Sequence, residues 1–443
     1  MNDMTKGSPL KNIVFFLIPV LLGNLFQHCY NIADTVIVGR FLGVDALAAV
    51  GATGAITFLV IGWISGLTSG FGILIAQAFG SKDVKLLKHY VAMSSYICIG
   101  FAIIMTAGLL LANEWILMTM NTPDSIIGST KLYIGIIYAG LPATILYNML
   151  AALARAIGDS KTPLYFLALS SIINIGLDFY LVGSTTLGVA GAAIATVISQ
   201  GLSGVLCLVY LYKKYELVRF TKAEAVFKWT SFIKLMGIGV PMALQFSITA
   251  IGTMIVQSAL NLLGAVHIAA FSASMKIQNI MMQIYVALAA SIANFVAQNF
   301  GAGELVRVKK GVNVSIGIVL VYSIIMMTFA YYIAPGLVNF FAEDVTGELE
   351  RLSQQVFHIS MWFYLPLGLI FVYRNALQGL GNGIIPMLGG VFELFARGLG
   401  IILLFNSLQF IGVCLTDPFA WIAALIPLIP YYYWYMKKVE KQL

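Results

Sequence analysis

The sequence predicts an all-α integral membrane protein with twelve transmembrane helices, arranged as two six-helix lobes related by a parallel internal repeat. Three observations predict this fold class: the composition, the length of the apolar segments and the recurrence of landmarks in the second half of the chain. Of the 443 residues, 60% are hydrophobic and only 10% are charged, whereas about 25% of the residues of a soluble domain are charged. This composition excludes an ordinary soluble protein.

The twelve helices are predicted from the apolar segments that lie between polar clusters. A helix needs roughly 20 apolar residues to cross a hydrocarbon core of about 30 Å, and each segment reaches about that length or more. In chain order the predicted helices are residues 12–39, 46–79, 87–112, 128–152, 162–183, 188–212, 231–262, 268–299, 311–334, 353–380, 384–407 and 414–436.

The lysine and arginine residues predict the orientation, because they are concentrated at both termini and in the even-numbered connections. Loops rich in these residues lie in the cytoplasm, so we expect a multi-pass protein of the bacterial or archaeal plasma membrane (the inner membrane) with both termini cytoplasmic. Attraction to anionic headgroups explains the net charge of +7,. The basic residues form no stripe interleaved with aromatic side chains, so the sequence does not predict binding of nucleic acid. The expected partners are the lipid bilayer and a small-molecule substrate, and we expect a monomer.

The two lobes are predicted from landmarks that recur at nearly one spacing. Residues 76–80 (AQAFG) match residues 297–301 (AQNFG) at an offset of 221, and Pro19 matches Pro241 at an offset of 222. Transporters built from parallel repeats carry their substrate between the repeats. We therefore expect an N-terminal lobe at 1–212, a cytoplasmic linker at 213–230 and a C-terminal lobe at 231–443.

Two aspartates, Asp34 and Asp178, lie inside predicted spans. An ionised residue at a helix centre costs about 2.5 to 3.5 kcal/mol on insertion scales, so such residues usually face protein or water and handle ions. Asp34 shares one helix face with Gln27 and Tyr30, and Asp178 lies one turn after Asn174,. An acid among neutral polar groups can exchange a proton or bind a hard cation. The alternative is that each aspartate lies near a helix end and reaches water.

The repeat favours the functional interpretation of the two aspartates. At the repeat offsets Asp34 falls opposite Val256 and Asp178 falls opposite Ile401. Residues that the repeated fold requires should recur in both halves, whereas the residues of one ion site need occur only once.

The run Gln27–Arg40 (QHCYNIADTVIVGR), the Ala-Gln-x-Phe-Gly endings and the six-plus-six repeat resemble the multidrug and toxic compound extrusion (MATE) family over nearly the whole chain. Residues 174–178 (NIGLD) resemble the fifth-helix motif of the DinF-like branch, whose cation site lies in the N-terminal lobe. This resemblance implies a secondary transporter that exports organic, cationic or amphipathic compounds in exchange for protons or sodium ions by alternating access.

The resemblance also implies the site residues. The proton or Na⁺ site would consist of Asp34, Asn174, Asp178 and Thr196, with no cofactor besides the coupling ion. Its polar surroundings, which would contact substrate in the cleft, would be Gln27, Tyr30, Asn148 and Tyr133.

The second lobe has its own polar candidates: Gln245, Lys276, Glu393 and Arg397. Glu393 and Arg397 are spaced i, i+4, which allows an ion pair within one helix; a structural pair and a gating or substrate role both stay open. Lys276 could snorkel or pair with Glu393. Pro19 and Pro241 lie inside predicted helices, where a proline removes a hydrogen bond and promotes a kink.

Two other functions compete with efflux. The first is a lipid-linked precursor flippase of the same superfamily, for which Lys276, Arg374 and Arg397 could hold phosphate. The second is an intramembrane enzyme, but the four histidines lack the spacing of metal ligands,. Since no nucleotide-binding G-x-x-x-x-G-K-[ST] run occurs either, we expect a transporter driven by an ion gradient and no enzyme.

Overall fold

A computed structural model describes residues 3–338 and 347–441 of the chain. In these residues the regular secondary structure is helical throughout. The helices of the first half are α1 (Pro9–Leu42), α2 (Val44–Ala52), α3 (Gly54–Gly80), α4 (Val84–Thr119), α5 (Asp124–Ala139), α6 (Leu141–Ala156), α7 (Lys161–Gly183) and α8 (Val189–Lys214).

The second half repeats this series after a connection with little regular structure. Its helices are α9 (Trp229–Asn261), α10 (Ala265–Met281), α11 (Gln283–Gly301), α12 (Leu305–Tyr332), α13 (Ala334–Leu337), α14 (Gly347–Ser360), α15 (Tyr364–Gly379), α16 (Ile384–Leu408) and α17 (Phe410–Glu440).

The predicted transmembrane helices are confirmed. Eleven stretches of the described chain are long and apolar enough to cross a membrane, and the number is 12 when α5 and α6, which meet at a 46° bend, count as one span. The pairs α2–α3, α10–α11 and α14–α15 each form one span as well. Each predicted segment coincides with one of these spans, because length and hydropathy suffice to identify a helix that must satisfy its own backbone in lipid.

The helices pack into two compact units. The first unit comprises Ile18–Ala243 with Asp3, and the second comprises Met4–Leu17 with the described residues from Leu244 onward. The helices α1 and α9 therefore contribute to both units, and the division falls beside Pro19 in α1 and Pro241 in α9. These units group residues by contact, whereas the predicted lobes group them by the repeat, so the predicted linker at 213–230 lies within the first unit.

Hydrogen bonds hold the start of the chain to the second unit. The guanidinium of Arg307 donates from Nη2 to the carbonyl oxygen of Met4 at 3.0 Å and from Nη1 to that of Gly7 at 3.0 Å. Its Nε donates to Asn299 Oδ1 at 2.9 Å. Because one planar group makes all three bonds, the segment before α1 has a defined position in the second unit.

The repeat is visible in the packing of the units. A Cβ atom built on Gly191 of α8 would lie 2.9 Å from the carbonyl oxygen of Leu181, and one built on Gly412 of α17 would lie 2.6 Å from that of Leu404. In each unit the later helix thus passes the end of the earlier helix so closely that only glycine fits. The two leucines are 223 positions apart and the two glycines 221, so the sequence offsets hold in three dimensions.

Candidate cation site

Asp34 of α1 and Asp178 of α7 meet inside the first unit. Their carboxyl groups lie close enough to interact electrostatically; Asp178 is fully buried and Asp34 is partly buried. Asp34 Oδ1 and both carboxyl oxygens of Asp178 have no hydrogen-bond partner among the described residues. Two ionised carboxylates can only accept hydrogen bonds, so neither can satisfy the other, and their charges repel.

An apolar cluster brings the two aspartates together. Its buried members follow Asp34 in α1, follow Asp178 in α7 and precede Thr196 in α8, and they pack around the ring of Tyr133 from α5. These members are Ile37, Val38, Val182, Val189, Ala192 and Ala193. Four helices are therefore held around the site by burial of apolar surface, which compensates for placing two acids there.

Neutral polar groups complete the site. Asn174 Nδ2 lies 3.5 Å from Thr196 Oγ1, at the limit of a hydrogen bond,. The carbonyl oxygen Oδ1 of Asn174 is buried and has no partner in the described ranges. Tyr30 and Tyr133 lie close enough to interact electrostatically with both aspartates. The structure thus brings together Asp34, Asn174, Asp178, Thr196, Tyr30 and Tyr133.

Gln200 belongs to this cluster, although the sequence analysis missed it. Its side chain lies near the hydroxyl of Tyr30 and accepts a hydrogen bond from Thr144 Oγ1. Gln200 lies one turn after Thr196 on α8, so the i, i+4 spacing from a predicted site residue is the signal that could have found it.

Two other predicted residues lie apart from the acidic pair. Asn148 accepts a hydrogen bond from Ser65 Oγ at 3.2 Å and donates from Nδ2 to the Thr144 carbonyl oxygen at 2.8 Å. Gln27 is exposed. Among the described residues no hydrogen bond joins either side chain to the two aspartates.

No lysine, arginine or histidine in the described ranges lies within ion-pair distance of Asp34 or Asp178. The described residues also contain no group of three or more His, Cys, Asp or Glu side chains that could hold a metal ion. The two carboxylates and the oxygens of Asn174 and Thr196 instead form an all-oxygen set, the chemistry that hard cations prefer. When deprotonated, the pair has two negative charges and only neutral neighbours.

The polar candidates of the second unit form a different arrangement. Arg374 of α15 donates from Nη2 to Glu393 Oε1, and Arg397 Nη1 lies 3.7 Å from Glu393 Oε2. Arg397 also donates from Nε to Asp417 Oδ1 of α17 at 2.8 Å. The predicted pair of Glu393 and Arg397 is therefore part of a four-residue network with Arg374 and Asp417, which we call the charged network.

Asp417 was missed because it lies on another helix and no spacing within the sequence connects it to Arg397. The remaining second-unit candidates lie elsewhere. Gln245 accepts a hydrogen bond from Gln378 Nε2 at 3.1 Å, and Lys276 is exposed.

Twelve apolar spans in two repeated halves, with a pair of aspartates that face each other inside one half, define a multi-pass membrane transporter. Comparison with known proteins agrees with this class. The sequence model of the MatE family matches residues 19–180 and 241–405, once in each half of the chain. The chain belongs to the MatE family, whose members are transporters associated with multidrug efflux.

The relatives match most of the chain. The probable multidrug resistance protein YoeA of Bacillus subtilis is 27% identical over 446 residues, covering 98% of this chain and 96% of that protein. The probable multidrug resistance protein YpnP of the same organism is 30% identical over 306 residues, covering 69% of this chain and 68% of that protein. A crystal structure of MATE in the bent conformation superposes with a TM-score of 0.92 at 21% identity, covering 99% of this chain and 98% of that chain. The family resemblance and the fold class are thus confirmed, while the assignment to a branch stays a prediction.

Proposed function

We propose that this protein is a secondary active exporter in which a proton or Na⁺ binds at Asp34 and Asp178 and drives the export of an organic compound. The observation that carries the proposal is a pair of neighbouring carboxyl groups, one fully and one partly buried, without a cationic partner in the described chain. Two adjacent acids in a low-dielectric environment repel each other when both are ionised. Binding of one cation removes this repulsion, so occupancy of the site changes the energy of the conformation that contains it.

The proposed cycle uses this difference in energy. In an outward-open state the pair takes up a cation, and the cation-bound form returns toward the cytoplasm, where the lower cation activity favours release. A conformational change is coupled to an ion only to the extent that the ion binds the two states differently. The lysine and arginine distribution supports cytoplasmic termini in a bacterial or archaeal inner membrane. In the proposed cycle the cation moves inward while the substrate is exported.

The substrate class we propose is a cationic or amphipathic organic molecule. The names of YoeA and YpnP, both described as probable multidrug resistance proteins, support a xenobiotic compound. A negative charge that is free after the cation leaves favours a positively charged substrate. Cation and substrate then compete, which couples cation entry to substrate exit.

The test is transport by purified protein in proteoliposomes with an imposed proton gradient, sodium gradient or neither. The wild type, Asp34→Asn and Asp178→Asn are compared for export of a cationic dye, and Asp124→Asn, at an exposed acid of α5, is the matched control. We expect each site variant to lose gradient-driven export by at least about tenfold, the equivalent of about 1.4 kcal/mol, while the control keeps it.

Two outcomes contradict the proposal. The coupling role of the pair is wrong if both site variants export the dye in step with the gradient. The proposed substrate class is wrong if the wild type exports no cationic dye but moves fluorescent lipid across the bilayer of the same vesicles. That second arm tests the flippase alternative, which the structure does not favour, because Arg374 and Arg397 already have carboxylate partners.

A further inference from the structure

Two residues of the charged network lie at positions in the second unit that correspond to two residues of the candidate cation site in the first. The helices α7 and α16 begin 223 positions apart, and α8 and α17 begin 221 positions apart. With these offsets Asn174 corresponds to Arg397, and Thr196 corresponds to Asp417. Two residues that the structure brings together in the first unit therefore have counterparts that also contact each other in the second.

The two contacts differ in strength. In the first unit, Asn174 Nδ2 lies 3.5 Å from Thr196 Oγ1. In the second unit, Arg397 Nε donates to Asp417 Oδ1 at 2.8 Å. A marginal contact between neutral groups has been replaced by a charge-assisted hydrogen bond at the same place in the fold.

Helix α9 leaves room for this arginine. At the offset of 222 that relates Pro19 to Pro241, Tyr30 of the first site corresponds to Gly252. A Cβ atom built on Gly252 would lie 2.7 Å from Arg397 Nη1 and 3.0 Å from its Cδ. The guanidinium thus lies against backbone at the position where the first unit has a tyrosine.

The charges complete the comparison. The first site has two acids without a cationic partner in the described chain, whereas the charged network contains two arginines and two acids, so its formal charges cancel. Arg397 is only 5% exposed, and its Nη1 atom has no hydrogen-bond partner among the described residues although Glu393 lies 3.7 Å away. The buried guanidinium of Arg397, which Asp417 binds, therefore has an unused hydrogen-bond donor.

We propose that Arg397 is a tethered cation which occupies the second unit's counterpart of the first-unit cation site, with Asp417 as the carboxylate that binds it. The site therefore has the shape and charge for a planar monovalent cation of the guanidinium class. Removal of the Arg397 side chain leaves Arg374 and Glu393 paired with each other and leaves Asp417 with an uncompensated charge. The vacated site then binds a free guanidinium ion.

The experiment measures the thermal unfolding of the purified full-length protein in detergent, for the wild type and Arg397→Ala. Millimolar guanidinium chloride is the probe, and sodium chloride at the same concentration is the ionic-strength control. We expect guanidinium to raise the unfolding midpoint of Arg397→Ala by on the order of 3 °C at ten times its dissociation constant. The wild type, whose site is filled by its own side chain, does not respond.

The double variant Arg397→Ala/Asp417→Asn is the matched control. It has no uncompensated carboxylate, so it does not respond to guanidinium, and it unfolds at a higher temperature than Arg397→Ala alone. If Arg397→Ala cannot be purified, neutralising Asp417 restores the yield of folded protein.

The proposal is overturned if folded Arg397→Ala does not respond to guanidinium, or if the wild type or the double variant responds equally. It is also overturned if Asp417→Asn fails to rescue an unfolded Arg397→Ala. The readout is the stability of the second unit's network, so these outcomes are independent of the transport test on Asp34 and Asp178.

Discussion

The two halves of this transporter have the same fold, but their acidic residues inside the helices differ in whether they have a cationic partner. In the first unit Asp178 is fully buried and Asp34 partly buried, and neither has a cationic partner in the described chain. In the second unit Glu393 and Asp417 are paired with Arg374 and Arg397. The fold itself requires neither arrangement. The comparison separates what the fold needs, such as Gly191 and its counterpart Gly412, from what a particular unit does.

The difference predicts that the units respond oppositely to loss of an acid. A paired buried acid contributes to stability through its partners, and its removal leaves a charge uncompensated. An acid without a partner destabilises the folded state and persists because a function requires it. Variants of the two regions therefore test this difference.

The largest effect is expected for Glu393→Gln, because it leaves two buried guanidinium groups without their shared carboxylate. Breaking one side of a buried ion pair costs about 3 to 5 kcal/mol, and we expect a loss of this size in the free energy of unfolding. Chemical unfolding in detergent measures it. The matched control is Glu348→Gln at an exposed position of α14, where the change should stay within about 0.5 kcal/mol. A loss below about 1 kcal/mol at Glu393 would contradict the role of the network in stability.

The opposite sign is expected for Asp178→Asn. An amide in place of the carboxylate removes the repulsion with Asp34 and can donate a hydrogen bond to it, so the folded state should gain about 1 to 3 kcal/mol. The same unfolding experiment, at neutral pH, measures the gain, with Asp124→Asn as the control. A variant that loses stability would show that the pair has a compensating partner.

A smaller loss is expected for Gly252→Ala, which places a methyl group against the Arg397 guanidinium. Overpacking of this kind costs about 1 to 3 kcal/mol. Gly398→Ala is the control, because a Cβ atom there meets nothing within 4 Å, so replacing a helical glycine should stabilise by about 0.5 to 1 kcal/mol. If both variants behave alike, the close fit at Gly252 does not position Arg397.

The smallest effect is expected for Tyr30→Phe, the counterpart of Gly252 in the first unit. It removes the hydroxyl that lies near the side chain of Gln200, and since a hydrogen bond contributes about 0.5 to 1.5 kcal/mol, we expect the loss to be no larger than this. Unfolding of the variant measures this loss, and dye export measures whether coupling persists. Complete loss of gradient-driven export in a stable variant would make Tyr30 a required part of the site.

Much of the architecture was predictable from the sequence. The twelve spans follow from hydropathy, the repeat from Pro19 and Pro241, and the first site from two aspartates that interrupt apolar helices. Each of these signals is local, since a helix in lipid must be apolar along its whole length and an acid within it stands out.

The partners of the buried charges were not predictable in the same way. Asp417 and Gly252 lie on helices other than that of Arg397, and neither is unusual in its own segment. The spacing of Gln200 from Thr196 places both on one face of α8, but only the structure shows that this face meets Tyr30 of α1. Such contacts depend on how each helix is rotated and on which neighbour it packs against.

Composition, hydropathy and repeat spacing are therefore enough to predict the class of protein, the number of spans, the repeat and the two acids within the spans, because the bilayer imposes its constraint on each helix separately. Helix packing establishes that Asp34 and Asp178 meet without a cationic partner in the described chain, while the acids of the second unit are paired with arginines. Whether a buried charge is compensated depends on groups a few ångströms away in space. Those groups come from helices that lie far apart along the chain.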